Sequence, residues 1–328
     1  MKQALKIGVV VLGLLFVLAC TGGTEQQKTA ASGPPPAPKG RPDLDQFKAA
    51  MQSGEIKNIE GPFTIPDDLK MNRDLEYANI NGQSLKLDLC EARNLDKPAP
   101  AILFIHGGGW SGGRKEEYLG YVLDFAKRGY VAASMTYRFT QVAKYPAQVQ
   151  DCKCAVRWLR AHADEYHIDK NRIAVMGGSA GGYLALMVGY TDDPALEGDG
   201  GNADQSSRVQ AVIDGYGPTD FTGPLVRQAP QVTGLMGMKY EQAPDLFRQA
   251  SPIFYVKSTT PPTVIIHGTI DKTVPISESI ALDAKLKEAG VPHVFDRIEG
   301  YPHTADSFEG VFEHCSAVID QFLKENMK

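Results

Sequence analysis

Three short stretches of this chain hold residue types that could carry out acyl transfer. The first is Gly177-Gly178-Ser179-Ala180-Gly181, a G-x-S-x-G sequence. An apolar run, Ile173 to Met176, precedes it, and helix-like spacing from about Ala180 to Val188 follows it. In that context a tight strand-to-helix turn lifts a serine hydroxyl above a sheet, and small neighbours are needed because bulk would clash across the turn. The start of the following helix also sets positive potential beside the hydroxyl. A serine hydroxyl is a weak nucleophile at neutral pH, so it needs a base and an acid to orient that base. Asp271 lies in the loop after the apolar run Thr263 to His267, and His303 lies just after Val294 to Ile298. The order Ser179, Asp271, His303 is the one such a turn requires. Other candidates fit less well. His267 precedes the acid, and His293 has no partner motif. His162, His167 and His314 fall on predicted helices, where a solvated face is expected, and Asp296 and Asp306 flank the histidine outside the expected acid loop.

The second stretch is His106-Gly107-Gly108-Gly109-Trp110, directly after the buried-strand pattern Ala101 to Ile105. An acyl-transfer transition state puts negative charge on the carbonyl oxygen, and closely approaching backbone N–H groups can hold it. Gly108 and Gly109 are the main expected donors, with Gly107 shaping the turn and Ala180 N–H as a further donor. His106 is expected to brace the loop.

Alternating elements must position these residues. Ala78 to Leu89 is strand-like around an Asn81-Gly82 turn signal. Ala101–Ile105, Tyr130–Met135, Ile173–Met176, Val209–Asp214, Thr263–His267 and Val294–Ile298 read as strands, and 116–128, 147–166, 180–188, 277–288 and 309–324 as helices. Such alternation predicts an α/β fold with a mostly parallel central sheet and helices on both faces. Residues 222–250 break the rhythm and could form a small cap, and 43–53 could add a helix. The catalytic domain is expected over 43–328.

The amino terminus carries a different signal. Lys2 and Lys6 precede a 13-residue apolar stretch, Ile7 to Ala19, of the length of a secretory h-region and too short to span a membrane. It ends in Val17-Leu18-Ala19-Cys20, which resembles a bacterial lipobox with Cys20 as the lipidated residue; an ordinary cleaved signal is the alternative. Residues 20–42, rich in Pro, Gly, Thr and Gln, are expected to form a disordered tether. The predicted location is the bacterial cell envelope: secreted across the inner membrane and lipid-anchored on the periplasmic or surface side. The formal charge of −5, from 34 basic and 39 acidic residues without a basic cluster, gives no support to a nucleic-acid partner. Cys90, Cys152, Cys154 and Cys315 are expected to be buried free thiols, since Cys152 and Cys154 point to different faces of one helix. No metal-ligand spacing and no cofactor motif is present.

Together, HGGGW, GGSAG, HGTID and GYPH make the chain resemble the α/β-hydrolase superfamily over about 75–322. Within it the resemblance is to carboxylesterases with an HGGG loop, hormone-sensitive-lipase-like and bacterial feruloyl-esterase-like. Tyr137-Arg138, Tyr145-Pro146-Ala147 and the stretch 151–160 agree with that. Hormone-sensitive-lipase-like enzymes usually have GDSAG where this chain has GGSAG, so Gly178 favours the feruloyl- and acetyl-esterase-like branch. The resemblance implies a serine carboxylester hydrolase acting on small or carbohydrate-linked esters. Two alternatives stand beside it. One is a prolyl-oligopeptidase-like serine peptidase, for which fewer than 60 residues between Cys20 and the first strand-like segment leave no room for a propeller. The other is an inactive surface-binding lipoprotein, which would be expected to have lost a triad member or the oxyanion glycines.

Overall fold

A computed structural model describes residues 33–59 and 61–328; the expected signal segment and Cys20 lie outside the described residues. Eight strands form one sheet in the order β1-β2-β4-β3-β5-β6-β7-β8. They are β1 (Leu69–Ile80), β2 (Gln83–Ala92), β3 (Ala99–Ile105), β4 (Val131–Met135), β5 (Ile168–Gly178), β6 (Ala211–Gly215), β7 (Thr263–Gly268) and β8 (His293–Ile298). β1, β2 and β4 pair antiparallel, and every pairing from β4 through β8 is parallel. Asn81 and Gly82, both at positive φ, close the β1–β2 hairpin with Ile80 opposite Gln83, the backbone that a two-residue hairpin turn of matching twist demands.

The parallel strands are apolar on both faces because helices cover both. Ala101, Leu103 and Ile105 of β3 join the cluster under α3 (Ala147–Ala161), α4 (Ala180–Tyr190) and α7 (Ser277–Glu288). Ile102 and Phe104 join the opposite cluster with α1 (Leu44–Gln52), α2 (Leu119–Lys127) and α8 (Val311–Asn326). Each of the larger side chains among these, the leucine, isoleucines and phenylalanine, fully buried, contributes about 1.5–3 kcal/mol. Two short helices, α5 (Pro230–Met236) and α6 (Pro244–Gln249), occupy the 222–250 insertion. Leu235 and Phe247 tie them to the α3–α4 side of the core.

Several boundaries differ from the sequence expectation. β5 begins at Ile168 because Ala99 pairs with Ile168 across an irregularity, although the polar residues 169–172 give no strand periodicity. The predicted helix 147–166 ends at Ala161, where His162 caps it and stacks on Trp158. His314 is a correction. It is only 8% exposed and pairs with Asp296 of β8 at 2.8 Å, so this face of α8 is covered rather than solvated. His167 is a second correction: it lies off any helix, stands at φ 53° before β5 and bonds Glu91 at 3.0 Å.

The tether expectation is also corrected for residues 33–42. Gly40 N–H and Arg41 N–H donate to Glu299 O and Gly300 O at 2.9 and 2.8 Å, and Ala37 packs on the α2–α8 cluster. Gly40, with no Cβ, lets this backbone lie against Gly300, and main-chain bonds replace the apolar side chains the segment lacks. The four described cysteines are free and buried. Among the described residues no helix is long and apolar enough to cross a membrane.

Candidate active site

Register brings the predicted residues to one end of the sheet. Ile105 at the end of β3 is level with Gly177 of β5, and Gly178 is level with Gly215 of β6. His267 and Gly268 of β7 pair with Arg297 and Ile298 of β8. The loops after β3, β5, β7 and β8 therefore leave the sheet side by side, at the carboxyl ends of parallel strands where open α/β sheets form their sites.

Ser179 sits between β5 and α4 with φ 56° and ψ −119°, a conformation that non-glycine residues rarely adopt. Such strain persists only where the surroundings enforce it. Here Ser179 N–H donates to Gly215 O at 2.7 Å while Tyr183 N–H donates to Ser179 O at 3.1 Å. The hydroxyl is 2.9 Å from His303 Nε2, and His303 Nδ1 is 2.6 Å from Asp271 Oδ2. Since Asp271 offers only acceptors, Nδ1 carries the proton and Nε2 is left to accept from the serine. Burial raises the Asp271 carboxyl, but hydrogen bonds from His267 and His303 outweigh it and hold it well below the usual carboxylate range. The Thr273 and Val274 amides add two donors to Oδ1, at 2.7 and 3.0 Å. The acid is thus a fixed anion behind the imidazole.

The glycine loop faces this relay. Gly108, Gly109 and Trp110 take φ of 96°, 59° and 58° in succession. At Gly108 a Cβ would lie 2.3 Å from Gly112 O, so only glycine fits the turn. Gly107, Gly108, Gly109 and Ala180 line the same cavity as Ser179 and His303. Among the described residues the amides of Gly108 and Gly109 have no acceptor in the protein, which leaves them for an oxyanion. His106 braces the loop as expected: it is buried, stacks on Tyr137 at 4.4 Å, and its Nδ1 lies 2.9 Å from Gly107 O. Burial pushes its imidazole below the ordinary value, so it stays neutral. Tyr137 Oη lies 3.1 Å from both His106 O and Gly107 O.

Gly178 has a steric reason. A Cβ there would stand 2.5 Å from Tyr216 Oη and 2.8 Å from Tyr118 Oη, so two phenols fill the place where GDSAG sequences carry a carboxylate. Tyr216 itself, at φ 45°, donates to Asp306 at 2.6 Å and meets the His303 ring edge-on at 4.8 Å.

The cavity, about 520 Å³, is mainly apolar. Leu225, Val226 and Val232 of the insertion form one wall, and Phe63, Tyr118 and Tyr121 another. The predicted triad and oxyanion glycines all meet here. Sequence reasoning missed His267 as a second partner of Asp271, at 3.1 Å, and missed the contribution of Ile59 and Phe63. The His-Gly-x-x-Asp spacing held the first signal; the second left none, because those residues lie in an unpatterned stretch between the helix at 43–53 and the first strand-like segment. Among the described residues no group of three or more His, Cys, Asp or Glu could hold a metal ion.

The BD-FAE family model matches residues 87–286, more than half of the chain. The chain belongs to the BD-FAE family. As a BD-FAE member it is an α/β-hydrolase, and its mostly parallel sheet agrees with that. Esterase LipQ of Mycobacterium tuberculosis is 31% identical over 263 residues, covering 77% of this chain and 61% of LipQ. The BD-FAE chain therefore spans about three-fifths of that relative. A truncated carbohydrate esterase from gut microbiota superposes with a TM-score of 0.70 at 27% identity, covering 79% of this chain and 97% of the other. Esterase 2 of Thermogutta terrifontis, solved with propionate bound, superposes at 0.68 with 27% identity, covering 79% and 94%. The same esterase has also been solved phosphonylated by cyclosarin.

Proposed function

We propose that this protein is a serine carboxylester hydrolase that works through an acyl-enzyme on short-chain, acetyl-type esters, including esters carried on carbohydrate. Ser179 attacks the ester carbonyl, and its proton passes to His303 Nε2. The Gly108, Gly109 and Ala180 amides hold the oxyanion, and the proton returns from His303 to the departing alcohol. Water then repeats the sequence to release the acid. Asp271 keeps the imidazole in the tautomer that accepts from serine and stabilises the imidazolium that forms. The observation that carries this reading is the continuous Ser179–His303–Asp271 relay, at 2.9 and 2.6 Å, in a cavity faced by two unpartnered amides. The carbohydrate esterase and the propionate-bound esterase among its structural neighbours support the ester class and the small acyl group.

Purified Ser179→Ala should lose at least about a thousandfold in kcat on p-nitrophenyl acetate, since removing a triad member leaves only oxyanion and binding effects. Wild-type turnover by that variant would end the proposal. A panel of acetyl, butyryl and feruloyl esters then separates the short-acyl reading from a feruloyl one. Cell-envelope attachment through Cys20 rests on the lipobox-like Val17-Leu18-Ala19-Cys20. It is tested by whether Cys20→Ser moves the protein out of the membrane fraction.

A further inference from the structure

The chain ahead of β1 reaches the loop that carries His303 from two directions. On the amino-terminal side of the histidine, Gly40 N–H and Arg41 N–H donate to Glu299 O and Gly300 O at 2.9 and 2.8 Å. On the other side, Ile59 N–H donates to Ser307 O at 2.8 Å, Glu309 N–H donates to Lys57 O at 2.9 Å, and Asn58 bridges Phe308 in antiparallel fashion. Four main-chain bonds therefore flank His303, two before and two after. Between them, Phe47 of α1 packs edge-on against Tyr301 at 5.3 Å and Phe308 at 5.1 Å, and all three rings are buried. An ion pair between Arg41 and Glu55 closes this arm on itself.

The fit is tight where the two backbones meet. A Cβ at Gly40 would lie 2.1 Å from Gly300 O, and Gly300 itself sits at φ 72° with Arg41 N 2.5 Å from its own Cβ position. Neither residue tolerates a side chain while the arm is seated. The loop's other anchors, Gly300 N–H to Thr269 Oγ1 at 2.9 Å, Ile270 N–H to Tyr301 O at 3.1 Å, Tyr216 to Asp306 at 2.6 Å and His303 to Asp271 at 2.6 Å, come from the sheet side. Without the arm, the loop would keep its connection to the sheet and lose its outer support.

We infer that residues 33–59 form a positioning clamp for His303, setting the imidazole against Ser179. This rests on the reading of Ser179 and His303 above. The clamp lies outside residues 87–286, where the family model matches, as does His303 itself. Misplacement of a catalytic group by about an ångström lowers turnover by about a hundredfold, so a loop freed on its outer side would bind ester normally and turn it over slowly.

The test uses the full chain with Gly40→Val, Phe47→Ala and the conservative Phe47→Leu, each assayed well below its own melting temperature. Active sites are counted by titration with a fluorophosphonate. We expect Gly40→Val and Phe47→Ala to titrate fully, with kcat per titrated site about tenfold to a hundredfold lower and KM within about twofold, and Phe47→Leu to recover most of the turnover. Unchanged kcat per titrated site in folded Gly40→Val and Phe47→Ala would overturn the clamp. So would a loss wholly explained by fewer titratable sites, which is what a merely structural arm would produce. If Gly40→Val fails to fold, the Phe47 pair decides alone. Ser179→Ala run in parallel separates the two readings: an inactive Ser179→Ala beside wild-type arm variants removes the clamp and leaves the hydrolase assignment standing.

Discussion

His267 Nε2 stands 3.1 Å from Asp271 Oδ2, the same oxygen that His303 holds. Val274 O lies 3.0 Å from that nitrogen, so with two acceptors facing it Nε2 carries the proton, and the Ser279 hydroxyl donates to Nδ1 at 2.7 Å. Asp271 is thereby gripped from behind as well as from the front. His267→Leu should lower kcat about tenfold by loosening the acid, and should destabilise the fold by about 1–3 kcal/mol for each polar group left unpaired. His267→Gln, which keeps a donor, should recover most of both. The Asp271 carboxyl is depressed in the fold, so its contribution is present above the ordinary carboxylate value and is lost as pH falls through the folded value. With a donor removed the folded value rises, and acid unfolding of His267→Leu should begin at higher pH than in wild type. Denaturant melts across acid pH check this; coincident acid transitions would refute it.

Gly178→Ala should destabilise by about 1–3 kcal/mol, because the methyl meets both phenols and the core must shift to admit it. The shift falls on the strand that ends in Ser179, so kcat should drop with it. Chemical denaturation and turnover measured on one preparation suffice, and wild-type values for both would contradict the steric account of GGSAG.

Asp214, wholly buried at the end of β6, is pushed up to about 8 by burial, with the Gly217 N–H bond opposing and Glu278 adding to the rise. Its folded value lies above the unfolded one, near about 4. Between those values the folded protein holds a proton that the unfolded chain has released, so stability falls as pH rises through this window. Asp214→Asn keeps an acceptor for Gly217 N–H and removes the titration. Its melting temperature should match wild type near the lower end of the window, exceed it increasingly toward the upper end, and then run parallel. A pH-independent difference would show that Asp214 does not titrate there.

His314 has an acceptor at each ring nitrogen, Asp296 at Nε2 and Pro35 O at Nδ1, so both nitrogens donate and the ring is held as imidazolium. The Asp296 bond first, then the Pro35 carbonyl, raise it above the ordinary histidine value against the effect of burial. The stabilisation is complete below the unfolded value of about 6.5 and is lost as pH rises through the raised folded value. His314→Gln should therefore be less stable than wild type at mildly acid pH, with the gap closing at alkaline pH. Melts over that range decide it, and a gap that widened with pH would reverse the sign assigned here.

The parts of this site that were legible in the sequence are those that a turn forces into one residue type. Ser179 needed small neighbours, Gly108 needed positive φ, Asp271 followed an apolar run that had to be a buried strand, and His303 followed the strand-like stretch Val294 to Ile298. The parts that stayed hidden carry no side-chain signature. The grip of Gly40, Arg41, Lys57 and Ile59 on the histidine loop is made by main-chain atoms, which any composition can supply, and a proline-rich segment with few apolar residues looks unfolded until its partner surface is known. His314 was misread because its partner, Asp296, lies on the edge strand β8 and not on its own helix. Residues 169–172 were missed as strand because an irregular register, not periodicity, brings them into β5.

Ser179 and His303 are 124 residues apart, and the loop that presents His303 is held on its outer side by residues 40–59, near the start of the described chain. No stretch of the polypeptide shorter than almost the whole domain contains a working relay. A chain still emerging from a ribosome would hold its serine turn long before its imidazole, and would stay chemically silent until the last strand and helix had arrived. On the proposed hydrolase reading, turnover would report that assembly is finished: its recovery after denaturation would time the seating of the outermost segments, while spectroscopic signals from the sheet would time the interior.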